Sequence, residues 1–276
     1  MNDTLIYDVG LHRGEDTDFY LKKGFNVVAF EANPELILKC KARFKDAIAN
    51  GRLRIIEGAI APRSSGERVT FYKNAWSVWG TIESAWAERN VKFGTDSEKI
   101  EVPRVDIVEI YRSLGIPFYL KIDIEGVDRL ALESLKEFEA RPRYVSIESE
   151  KVDFNQLQAD LALLRDLGYT KFKAVQQGDV PGSRIRTTTR AGDPIEHVFE
   201  NHASGPFGPD LPAPWLNLAD VSREYEAIFR RYRLFGDGTM FTKLPAPIQN
   251  VISKSYKLCT GYRGPLPGWH DIHASL

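Results

Sequence analysis

The chain has only two cysteines among 276 residues, Cys40 and Cys259, and they lie far apart. Neither fits a C-x-x-C pattern, so no thiol-based metal or redox motif is present, and a reducing cytoplasm is the expected compartment. No apolar run reaches the roughly 18 residues that a bilayer span needs, and no membrane partner is expected. Residues 1–10 hold an apolar strand and an acid rather than a basic start and an apolar stretch, so no signal peptide is expected. Neither sign of charge dominates: 37 Lys and Arg against 38 Asp and Glu leave −1. That balance removes any global electrostatic case for nucleic acid, while a local basic patch stays open. Internal repeats and low-complexity tracts are also missing.

What is present is the patterning of a globular α/β protein. Residues 4–9, 26–31 and 52–57 read as strands, and 15–23 and 34–50 as helices, with Pro34 just inside the start of the second. This β-α-β-α-β alternation predicts a doubly wound, mostly parallel, Rossmann-like sheet covered on both faces. Further strands are expected at 69–72, 117–123, 143–149 and 169–175, and helices at 106–114, 127–138 and 154–167. An insertion is expected at about 66–104, of which residues 74–100 resist assignment. Two parts are expected: a core over residues 1–177 and an extension over 178–276. Residues 178–217 are crowded with glycine and proline, and their aromatics Phe199, Phe207 and Trp215 favour an ordered cover over a disordered linker. A helix near 219–232 and a strand at 239–244 are expected to follow.

Two segments about 110 residues apart read as two edges of one pocket. The first strand opens into Asp8-x-Gly10-x-x-x-Gly14, and the next strand ends in Glu31, 17 residues after Gly14. Dinucleotide sites prefer G-x-G-x-x-G because a pyrophosphate must approach closely; here His12 stands where the middle glycine would be. The helix start after this turn is expected to offer free N–H groups. A bulkier turn suits a cofactor without a pyrophosphate, and S-adenosylmethionine fits, with its ribose at Glu31 beside Ala32. Small Gly58 and Ala59 after the third strand would lie against a flat adenine. The same residues also suit a plain strand–helix turn and close packing.

The second segment is Lys121-Ile122-Asp123-Ile124-Glu125-Gly126. Alternation sends Lys121 and Asp123 to one side, and opposite charges at the end of a buried strand are costly unless paired or functional. Asp123 is expected at the switch point beside the first strand. Candidate catalytic groups are Lys121, Asp123, Glu125 and Glu148 at strand ends, with His202, His270 and His273 from the extension. No metal is expected, although Asp123 with Glu148 forms a two-carboxylate alternative. Trp76, Trp79 and Trp86 fall where an acceptor pocket would open, or else form the core of a small subdomain.

The segments DVGLHRG, VVAFEANP, EGAIA and YLKIDIEG, in this order and spacing over about residues 4–175, resemble the FkbM family of S-adenosylmethionine-dependent methyltransferases. The resemblance implies a class I methyltransferase core with Asp8, Gly10 and Gly14 around the methionine portion, Glu31 on the ribose and Asp123 where cofactor and acceptor meet. It also implies O-methylation of a small-molecule or glycan acceptor, such as a sugar, polyketide or other secondary metabolite. Rival expectations are N-methylation of an amine or amide, a nicotinamide-dependent oxidoreductase, and a non-catalytic binding protein. The chain departs from the family in lacking a helical segment before its first strand and in its long C-terminal extension. That extension, a Gly/Pro/aromatic-rich cap with the tail around Trp269–His273, is expected to form the acceptor cover, so truncation after Pro265 should abolish transfer and spare cofactor binding.

Overall fold

The computed structural model describes residues 1–276 except Ser77, Val78, Phe93, Glu125, Ala213 and Pro267, and excludes the side chains of Arg89, Asn90 and Lys92. The candidate base Glu125 therefore lies outside the described residues. In chain order the elements are β1 (Asn2–Val9), α1 (Glu15–Lys22), β2 (Asn26–Glu31), α2 (Pro34–Arg43), α3 (Lys45–Ala49), β3 (Leu53–Glu57), β4 (Ala59–Ile60), β5 (Arg68–Asn74), α4 (Ser84–Lys92), β6 (Ser97–Val105), α5 (Ile107–Leu114) and β7 (Pro117–Ile122). Then come α6 (Asp128–Ser134), β8 (Tyr144–Glu148), α7 (Phe154–Asp166), β9 (Lys171–Gln176), β10 (Arg184–Thr188), β11 (Pro194–Val198), α8 (Leu218–Phe235), α9 (Ala246–Thr260) and β12 (His270–Ser275).

The central sheet has seven strands in the order β3-β2-β1-β7-β8-β12-β9. All of its pairings are parallel except those of β12, which runs antiparallel between β8 and β9. The sheet is thus mixed and mostly parallel. Strand order reverses between β1 and β7, so the carboxyl ends of these two strands flank the crevice where ligands of such sheets lie. One face packs Tyr7, Leu120, Val145 and Ile272 against Tyr111, Leu161, Tyr225 and Phe229 of α5, α7 and α8. The other packs Ile6, Ala29 and Tyr119 against Phe19, Tyr20 and Cys40 of α1 and α2.

Several expectations need correction. The helix expected over 34–50 breaks at Phe44, whose ring packs so tightly under Gly14 that a Cβ there would overlap it. The unassigned insertion contains β6, which pairs antiparallel with β5 along its length and parallel with β4. The strand expected at 239–244 is instead a short 3-10 turn, Phe241–Lys243, with Phe241 edge-on to Phe235 at 5.0 Å. The tail is not a cover. Its last strand lies inside the central sheet, buried throughout, so a boundary at residue 177 does not separate core from extension.

Candidate active site

The registers Asp8↔Lys121, Lys121↔Ser146 and Ser146↔His273 set these four side chains in a row on the α1 face of the sheet. Burying them requires mutual pairing. Lys121 Nζ lies 3.3 Å from Asp8, 3.7 Å from Asp16, 3.7 Å from Asp123, and donates to the Gly10 carbonyl at 2.8 Å. Burial works to neutralise Lys121, but Asp8, Asp123 and Asp16 outweigh it and raise its pKa well above the ordinary value. Lys121 is thus a fixed cation and no base. Asp8 is wholly buried beneath the turn and accepts from Thr17 at 2.6 Å, while its Oδ1 has no well-formed hydrogen bond. Asp123 is different: 45% of its side chain is exposed at the mouth of the crevice.

The glycine turn is built by close approach. Gly10 has φ +95°, a left-handed conformation, and a Cβ there would overlap the carbonyl oxygen of Asp123. Its smallness thus joins β1 to the end of β7, so Gly10→Val would damage this junction as well as any ligand site. The amides of the turn itself are engaged. The amides of Gly10 and Leu11 donate to Phe30, that of His12 to Glu31, that of Arg13 to Glu15 and that of Gly14 to Leu11. Glu31, half-buried at the end of β2, accepts from His12 and Asn33 at 2.8 Å each, and its oxygens retain further lone pairs. Burial, only partly offset by these amides, raises its pKa. Ala32 is half-buried beside it, and Ala59 is buried against Phe71. At Gly58 the space for a Cβ is filled by the Pro103 carbonyl of β6, so packing alone already demands a glycine.

An acidic rim continues from Asp123. Asp271 lies opposite Glu148 on the same face and is buried. Burial first, then the charges of Asp123 and Glu148, push its pKa well up. Asp128 accepts from the Ile124 amide at 3.2 Å, and the same causes raise its pKa to about 7. Glu148 pairs with Lys151 at 3.2 Å. His270 points to the other face, near Arg231 of α8, and burial lowers its pKa to about 4. His273 is buried in the sheet and held neutral, its pKa lowered to about 3. The structure thus brings Lys121, Asp123 and Glu148 together and leaves His270 and His273 apart. Asp271, Asp128 and Asp16 join the cluster in their place. The sequence signal for Asp271 was an acid beside apolar Ile272.

The extension reaches this crevice. Ser204 donates its amide to both oxygens of Asp16, at 2.9 and 3.1 Å. His202 lies edge-on to His12, ring centroids 5.5 Å apart, and both residues have positive φ. Burial, then His12, lowers the His202 pKa. Phe207 stacks on Tyr119 at 4.2 Å. On the opposite side Trp86 packs on Gly126, where a Cβ would come within 2.8 Å of its indole nitrogen. Trp76 and Trp79 contact each other at 4.8 Å, with Trp76 59% exposed. Among the described residues, no group of three or more His, Cys, Asp or Glu is placed to hold a metal ion. None of the described helices is long and apolar enough to cross a membrane.

Residues 8–171, more than half of the chain, match the FkbM methyltransferase domain. The chain belongs to the FkbM methyltransferase family. It is an S-adenosylmethionine-dependent enzyme, which sets aside the oxidoreductase and non-catalytic readings. No curated protein matches the chain. Its fold is similar to the precorrin-6y C5,15-methyltransferase of Geobacter metallireducens (13% identity, TM-score 0.36, 72% of this chain and 77% of that one). It is also similar to a putative O-methyltransferase of Klebsiella pneumoniae (12%, 0.32, 70% and 71%) and to an SAH-bound methyltransferase of Podospora anserina (12%, 0.29, 98% and 70%). The methyltransferase's own residues fit the methyl donor in charge. Three carboxylates cluster around Lys121, and that of Asp123 is half-exposed, so the crevice suits a ligand with a sulfonium and an ammonium.

One pH dependence follows. Burial, with Asp8 adding to it against Lys121 and Ser204, raises the Asp16 pKa to about 7, and Asp128 lies at about 7 as well. Folded-state values above the ordinary carboxylate range stabilise the free enzyme at low pH, and this stabilisation is lost as pH rises through about 7. Ionisation should in turn favour a cation. The preference for S-adenosylmethionine over S-adenosylhomocysteine, which lacks the sulfonium charge, is therefore expected to rise between pH 6 and 8. Calorimetric titration of both ligands checks this; a ratio flat in pH contradicts it.

Proposed function

We propose that this methyltransferase transfers the methyl group to a hydroxyl oxygen of a small-molecule or glycan acceptor, such as a sugar, polyketide or other secondary metabolite. The observation that carries this reading is the half-exposed carboxylate of Asp123 at the switch point, held by Lys121 behind it and facing an acidic rim. S-adenosylmethionine, when bound, supplies an electrophilic methyl, and what remains for the protein is in-line positioning and removal of a proton. Glu31, at the end of β2, is placed to accept from ribose hydroxyls with its remaining lone pairs. Asp123 orients the acceptor hydroxyl. His202, an imidazole kept neutral by burial and by His12, is the proton acceptor that the extension brings to the same crevice. Residues 199–208 act as the acceptor cover on this reading, supported by the Asp16–Ser204 and His12–His202 contacts.

Asp123→Asn keeps the shape and removes the charge. Turnover is expected to fall by about 100-fold, the size of effect that follows when a reacting group is misplaced, because the acceptor hydroxyl loses the charge that orients it, while cofactor affinity changes only a few-fold. Equal losses in both would make Asp123 a cofactor ligand instead. A second reading, N-methylation of an amine, is favoured by the rim itself, since Asp123, Asp128, Glu148 and Asp271 suit an ammonium. Incubating the enzyme and labelled donor with paired acceptors that differ only in hydroxyl or amine decides between the two.

A further inference from the structure

α9 is built inside out. Tyr256 packs on Phe235 of α8 at 4.8 Å, and Gln249 bonds back to the Leu244 carbonyl at 2.8 Å. Gln249, Ser253, Tyr256 and Lys257 are the half-buried residues of this helix, and none is fully buried. The apolar residues point away. Ile248 is 46% exposed, Val251 63% and Leu258 86%, with Ile252 and Cys259 also exposed. At about 100° per residue these five fall within an arc of roughly 120°, the width of a stripe that ordinarily faces a core. Met240, 83% exposed, extends the apolar surface into the turn before the helix.

The charge around this stripe has one sign. Residues 238–270 contain no Asp or Glu, but hold Lys243, Lys254, Lys257 and Arg263. Adding Arg230, Arg231 and Arg233 at the end of α8, against Asp237, gives +6 over residues 227–270; the whole chain is −1, which leaves −7 on the remainder. The near-zero total hides this segregation. An exposed apolar stripe with Lys254 beside it, and with exposed Lys243 and Arg263 before and after the helix, matches an interfacial helix, which inserts its apolar side among acyl chains while its cations meet anionic headgroups.

We propose that α9, with the basic end of α8 before it, is a peripheral docking surface for anionic lipid. Arg231 of α8, in the same basic patch, lies 4.4 Å over the Tyr262 ring, and Tyr225 of the same helix donates to the Asp271 carbonyl near the start of β12 at 3.2 Å. The docking surface therefore adjoins the edge of the sheet where the candidate site opens, and docking would bring that edge toward the bilayer. The proposal does not depend on which acceptor is methylated.

The full-length enzyme is mixed with vesicles of phosphatidylcholine alone, or of phosphatidylcholine with phosphatidylglycerol, and sedimented. Binding is expected only to the anionic vesicles and should weaken with added salt. The double variant Val251→Glu/Leu258→Glu should lose about tenfold or more of that binding while keeping its calorimetric affinity for S-adenosylhomocysteine. An environment-sensitive maleimide on exposed Cys259 should shift to the blue on the anionic vesicles. Absence of vesicle binding at low salt, undiminished binding by the double variant, or an unshifted label overturns the proposal. So does a dimer in sedimentation velocity that the two substitutions dissolve, since a second copy would then cover the stripe.

Discussion

Deleting residues 270–276 is expected to unfold this methyltransferase, not merely to stop methyl transfer. β12 is buried along its whole length and bonds to β8 on one side and β9 on the other. Its removal empties the space of Ile272 and Ala274, each 0% exposed, and leaves β8 and β9 unpaired along the edges that faced it. Each buried backbone group left unpaired costs about 1–3 kcal/mol, and a domain has only about 5–15 kcal/mol in hand. The truncated chain should show no cooperative thermal transition by circular dichroism and no binding of S-adenosylhomocysteine. A truncated protein that melts cooperatively and binds with near-normal affinity would show that the tail is a cover after all.

Lys121→Met is expected to be the most damaging single substitution in the site. The methionine fills similar space, but Asp8, Asp16 and Asp123 lose a cation 3.3–3.7 Å away, and Asp8 and Asp16 are buried. Breaking a buried pair by removing one partner typically costs about 3–5 kcal/mol. Urea denaturation at pH 7.5 should show a loss of this size. Protonation of the carboxyls relieves the uncompensated charge, so the deficit should shrink toward pH 5.5, and adding Asp8→Asn should recover part of it. A loss under about 1 kcal/mol that does not vary with pH would mean that Lys121 does not hold the cluster together.

The parts of this fold that were legible in the sequence are those where local pattern and tertiary environment agree. β1, α1, β2 and β7 lie within a residue or two of their expected bounds, because an apolar run buried on both faces and a glycine stop need no distant partner to be read. Alternation placed Lys121 and Asp123 on one side, and their charged ends are 3.7 Å apart. β12 escaped for the opposite reason. HDIHAS carries His273 into the buried polar row with Ser146 and Lys121, so the strand lacks the hydrophobic signature of a central position. α9 escaped because its apolar stripe buries nothing, and Pro245 and Pro247 sit at its start.

The sequence by itself determined the β-α-β order, the glycine turn, the acid at the end of β2 and the pairing of Lys121 with Asp123, all of which follow from periodicity within a few residues. Only the tertiary structure decided which acids surround Asp123, because Asp16, Asp128, Glu148 and Asp271 come from separate elements, and Asp271 reaches the others only when β12 enters the sheet. It also decided that the turn amides are engaged internally, that His270 faces away, and that Ser204 and His202 reach the crevice. Each of these depends on which surfaces meet across long stretches of chain, and a local pattern carries no record of its distant partner.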